Sequence, residues 1–94
     1  MRIAEFQRRI EEIYFERDSA RGVEGCFRWL VEEMGELSRA IRHDDPKALQ
    51  EEFADCLAWL STLASLKKID LAAAAAAKYG KGCPRCGKTP CGCA

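Results

Sequence analysis

Residues 26–68 read CFRWLVEEMGELSRAIRHDDPKALQEEFADCLAWLSTLASLKK, two apolar periodicities separated by a short break. From Cys26 to Arg42 the residues Phe27, Leu30, Val31, Met34, Leu37 and Ile41 recur at three- and four-residue steps. That spacing marks one face of a helix, and the stripe reads as core. His43-Asp44-Asp45-Pro46 interrupts it, with Asp45 suited to an N-cap and Pro46 to the first helical position after it. A second helix then runs to about Lys68, directing Leu49, Phe53, Cys56, Leu57, Leu60, Leu63 and Ala64 inward and ending on Lys67 and Lys68. So short a connection forces the two helices antiparallel.

Working outward, Ile3, Phe6, Ile10, Ile13 and Tyr14 mark an amphipathic helix from Arg2 to about Arg17. Residues 18–25, with two glycines and no period, read as a loop able to fold over a ligand. Asp70 caps a last helix containing the alanine run 72–77, which Gly80 and Gly82 end. The expected architecture is all-α: a bundle of about four helices over residues 1–80, followed by a cysteine-rich tail over 81–94.

A chain of 94 residues buries a modest share of its surface, so a metal or a partner copy is expected to add stability. Fifteen basic and fifteen acidic residues cancel, which removes the basic excess that generic nucleic-acid binding needs. The acidic, amphipathic N-terminus is no signal peptide and no apolar run reaches a membrane span, so a cytoplasmic location is expected.

Chemistry concentrates in two acidic patterns, Glu32-Glu33-Met34-Gly35-Glu36 and Glu52-Phe53-Ala54-Asp55. At 100° per residue, Glu33 and Glu36 lie along one edge of their helix's apolar stripe, and Glu52 and Asp55 are displaced in the same sense on the next. Antiparallel packing carries those two edges to the same side, so the four carboxylates converge. Carboxylates this close repel by about 1 kcal/mol or more per pair at a partly shielded surface. Mg²⁺, a hard cation bound by oxygen, offsets that repulsion, and with no His or Cys among the acids zinc suits the place poorly. Glu32 points away from the core edge, toward a second cation or toward solvent. Trp29 and Trp59 lie near the acidic edge, placed either to stack on a base or to fill an interface between copies. No Ser-His or Cys-His arrangement is evident, and the single histidine, His43, falls in a turn.

Cys83-Pro84-Arg85-Cys86 and Cys91-Gly92-Cys93 bring four thiols together with glycines on hand for tight turns. This reads as a closed, structural Zn²⁺ knuckle fixing the C-terminus to the bundle or to a neighbouring subunit; disulfides or an iron–sulfur site are the alternatives. Cys26 and Cys56, within helices, read as small buried apolar residues.

Phe27 to Leu37 together with Glu52 to Leu60 resemble the MazG all-α pyrophosphohydrolases, whose signature is two adjacent Glu, a third three residues on, then Glu and Asp three apart. The resemblance covers about Phe27 to Lys78. It implies a bundle completed as a homodimer or homotetramer, and hydrolysis of a nucleoside triphosphate between its α and β phosphates to monophosphate and pyrophosphate. It also implies Mg²⁺ or Mn²⁺ at Glu33, Glu36, Glu52 and Asp55, and a basic residue, here Lys78, toward the substrate phosphates. The family's usual Asn and Arg beyond that point are replaced by Gly82-Cys83-Pro84-Arg85. The related phosphoribosyl-ATP pyrophosphohydrolases usually place a His shortly after the final Asp, where this chain has Leu57-Ala58-Trp59, and rank second. A non-catalytic helical module with a zinc-bound tail is the reading from another class.

Overall fold

A computed structural model describes all residues, Met1–Ala94. Three helices follow one another: α1 (Ile3–His43), α2 (Pro46–Leu66) and α3 (Leu71–Tyr79), with no strand. The join between α1 and α2 forms as the sequence dictates. Asp44 takes a left-handed conformation, φ 52°, and the Asp45 side chain accepts from the backbone N–H of Lys47 and Ala48, with Pro46 at the helix start. Residue numbers fall along α1 as they rise along α2, pairing Trp29 with Trp59 and Glu33 with Glu52 and Asp55.

The loop expected over residues 18–25 is not one. The chain stays helical through that segment, and only Gly22, at φ 86° and ψ 167°, leaves helical geometry. Two expected helices therefore merge into α1, kinked at a backbone conformation that only glycine adopts at little cost. Sequence periodicity missed this because the inward-facing residue just before the kink is polar. Asp18 is 3% exposed, with its carboxylate taken by Arg21 and Thr62. Hydrogen bonds thus hold there what apolar packing holds elsewhere.

Near the start of α1, Gln7 ties the N-terminal arm to the far end of α2 and to the turn that follows it. Gln7 donates to Ser65 Oγ (3.1 Å) and to the Ile69 carbonyl (2.9 Å), and its Oε1 accepts from the Leu71 N–H (3.0 Å). Asp70 then caps α3 by accepting from the Ala73 N–H.

The expected core needs a second correction. Ile10, Cys26 and Ala40 are the buried apolar residues, and Leu30, Leu37, Leu49, Cys56, Leu63 and Ala64 are half-buried. Phe27, Val31, Met34, Ile41, Phe53, Leu57 and Leu60, expected inward, are exposed; Met34 is 56% and Phe53 57% accessible. Two packed helices cover only the seam between them, and each stripe here is wider than that seam. Its acidic edge enters the seam while its apolar flank faces outward. No helix is long and apolar enough to cross a membrane.

A carboxylate cluster beside a tryptophan and arginine pocket

Glu33 and Glu36 lie one helical turn apart on α1, and Glu52 and Asp55 one turn apart on α2, so the antiparallel seam fixes their meeting. One oxygen from each of Glu33, Glu36 and Glu52 falls within 4.8 Å of the others. Asp55 stands beside this trio, lining a cavity with Glu33 and adding its charge to the field on Glu33 and Glu52. Glu32 is exposed and lies outside both the trio and that cavity.

Burial raises the Glu33 carboxyl to about 7, and the nearby Glu52, Glu36 and Asp55 carboxylates reinforce the shift. Glu52 is also raised, again first by desolvation. The Oε2 atoms of Glu33 and Glu52 are buried without a hydrogen-bond partner. An unsatisfied buried polar atom costs about 1–3 kcal/mol, so two of them facing a shared space define an unmet demand for positive charge. An all-oxygen donor set fits a hard divalent cation held by Glu33, Glu36 and Glu52, with Asp55 alongside. Cys56 sits close enough for these acids to add to a rise that burial begins, so its thiol stays protonated and outside the donor set.

The cavity beside the cluster encloses about 320 Å³. Trp29 and Trp59 line it, stacked at 5.9 Å between ring centroids and 9° between planes. Arg17 and Arg21 of α1 line the same cavity as Glu33, Asp55 and Asp18. Arg21 Nη1 donates to Asp18 Oδ1 at 2.7 Å, and its guanidinium lies 5.2 Å from the Trp59 ring centroid. Sequence reasoning missed Asp18, Arg17, Arg21 and Thr62, because their segment read as the end of one helix and a loop. The available signal was the four-residue spacing of Arg17 and Arg21, which on a continuous helix puts both on one face. Lys78 lines no part of this cavity and rests over the ring of its neighbour Tyr79. His43 is exposed.

In the tail, one sulfur from each of Cys83, Cys86, Cys91 and Cys93 lies within 4.8 Å of the others. Cys83 Sγ is 3.6 Å from Cys91 Sγ and 3.7 Å from Cys93 Sγ. The Gly92 N–H donates to Cys86 Sγ, and the backbone N–H groups of Cys86 and Arg85 hold the Cys83 thiol down to about 6. Such a ring of thiols, some already biased toward thiolate, is compatible with a zinc knuckle. No hydrogen bond ties the tail to α1 or α2; its link to the body runs through Gly82 and the end of α3. Cys26 is fully buried and its thiol donates to the Asp18 carbonyl.

No curated protein matches this sequence significantly. A family model for the MazG nucleotide pyrophosphohydrolase domain matches residues 21–87, which hold the acidic cluster, both tryptophans, Arg21 and the first two tail cysteines. That match spans well over half of the chain, and the chain belongs to the MazG nucleotide pyrophosphohydrolase domain family.

Proposed function

We propose that the chain is a Mg²⁺-dependent nucleoside triphosphate pyrophosphohydrolase that cleaves between the α and β phosphates, releasing monophosphate and pyrophosphate. The observation that carries this reading is the pair of buried, unpartnered oxygens of Glu33 and Glu52 facing Glu36. In this reading Glu33, Glu36, Glu52 and Asp55 hold Mg²⁺ or Mn²⁺, with Glu32 available to a second ion. The bound cation supplies neutralisation of phosphate charge and a site for an ordered water.

Glu33 and Glu36 orient the water that attacks the α phosphorus. One of these two carboxylates accepts the water's proton while the remaining acids hold the cation. The bond from the α phosphorus to the bridging oxygen breaks, and pyrophosphate leaves with that oxygen. Trp29 and Trp59 offer an aromatic wall to the base.

The outward apolar flank of α1 and α2 supports assembly as a homodimer or homotetramer, since so broad an exposed patch is costly on a lone chain. The tail is read as a closed Zn²⁺ tetrathiolate formed by Cys83, Cys86, Cys91 and Cys93. Reduced thiolates and a nucleotide substrate both suit the cytoplasm, where we place the protein.

A panel of standard and modified nucleoside triphosphates, scored for pyrophosphate release with and without Mg²⁺, tests the activity. Mg²⁺-dependent release from at least one member is expected. Silence across the panel would overturn the reading.

A further inference from the structure

We propose that Arg17 and Arg21 form the phosphate-binding wall of the pocket, gripping the β and γ phosphates and stabilising the departing pyrophosphate. The inference rests on the pyrophosphohydrolase reading and assigns the part of that site that meets the substrate's distal charge.

The pocket lining carries both signs of charge: Glu33 and Asp55 from the acidic pairs, Asp18 already engaged by Arg21 and Thr62, and Arg17 and Arg21 one helical turn apart on the N-terminal arm of α1. A triphosphate carries more negative charge than one divalent cation cancels, and its outer oxygens need further donors. Planar guanidinium groups supply paired N–H donors that match phosphate oxygens.

The two arginines are held differently. Arg21 gives Nη1 to Asp18, whose second oxygen is occupied by Thr62 at 2.9 Å, and packs over Trp59. One ion pair uses few of its donors, so the group is oriented and still able to bind. Arg17 makes no ion pair at all; the chain's two ion pairs are Arg9 with Glu12 and Arg21 with Asp18. It brings an uncommitted charge to the same space. The last helix offers no substitute within the chain, because Lys78 does not line the pocket.

Trp29 and Trp59 are the only tryptophans and both line the pocket, so intrinsic fluorescence reports on its occupancy. The full chain is titrated with inorganic tripolyphosphate in the presence of Mg²⁺. Saturable binding is expected, weakened about tenfold in Arg17→Gln and in Arg21→Gln and partly restored in Arg17→Lys, the loss of about one charge-assisted hydrogen bond. Arg21→Gln leaves Asp18 buried without its partner, and if that variant fails to fold, Arg17→Gln, which breaks no ion pair, carries the test. Steady-state hydrolysis by the same variants is expected to show a higher KM together with weaker inhibition by pyrophosphate. A wild-type chain that does not bind tripolyphosphate, or glutamine variants that bind it as tightly as wild type, overturns the wall. Arginine-dependent binding in a chain that hydrolyses no nucleotide overturns the enzymatic reading alone.

Discussion

Asp18 and Thr62, 44 positions apart, are joined by a 2.9 Å hydrogen bond in which the threonine hydroxyl donates to a carboxylate oxygen that is almost wholly buried. This bond fastens the N-terminal arm of α1 to α2 beside the Gly22 kink, and so sets where Arg17 and Arg21 stand. Thr62→Val is expected to cost about 1–2 kcal/mol and Asp18→Ala about 2–3 kcal/mol, the second more because a charged acceptor and the anchor of Arg21 go together. Urea unfolding of each variant at constant ionic strength measures this, and equal stability with wild type would contradict the anchoring role.

Metal-free carboxylates in the seam oppose folding. Glu36→Gln and Glu52→Gln should therefore raise the melting temperature in chelator while lowering pyrophosphate release at least a hundredfold, roughly the weight carried by a group that stabilises transition-state charge. Opposite movement of stability and activity separates a functional cluster from acids that merely decorate a surface. Asp55→Asn is expected to lose activity in the same way.

The raised Glu33 gives a signed pH dependence. A carboxyl whose folded value, about 7, lies above its unfolded value binds its proton more tightly in the native state. Its contribution to stability is then fully present below the unfolded value of about 4.5 and disappears as pH climbs through 7. The metal-free protein should lose stability over that interval, Glu33→Gln should flatten the loss, and Mg²⁺ should stabilise far more at pH 8 than at pH 5. Differential scanning calorimetry with and without Mg²⁺ reads all three.

The tail should respond to metal separately from the bundle. One Zn²⁺ per chain is expected on purification, and Co²⁺ in its place should give the absorption of a tetrahedral thiolate site. Cys86→Ser should abolish that signal and leave the helical circular dichroism of the body nearly unchanged, since no hydrogen bond links tail to α1 or α2. Four freely titrating thiols in the protein as purified would argue against the site.

A charge placed on the outward apolar flank should disrupt assembly. Met34→Lys or Phe53→Glu is expected to shift sedimentation toward the monomer and to lower thermal stability, while Glu11→Lys, at an exposed position, should do neither. An unchanged sedimentation coefficient would show that this face is not where copies meet.

The helical class, the Asp45 and Asp70 caps and the antiparallel turn before Pro46 are written in adjacent residues, and the structure reproduces them. They are legible because capping and apolar period are local physics. The two acidic patterns and the cysteine quartet are legible for the same reason, since helical spacing and short turns fix where neighbours point.

Tertiary structure alone decided the rest. Helical period located each apolar stripe but not which edge would enter the seam, because that depends on how much width a single partner helix can cover. The buried polar latches at Gln7 and Asp18 looked like surface chemistry until Ser65, Ile69, Leu71 and Thr62 met them from across the chain. The Asp18 to Thr62 bond ties the segment before the Gly22 kink to α2, where Arg17 and Arg21 line one cavity with Glu33 and Asp55.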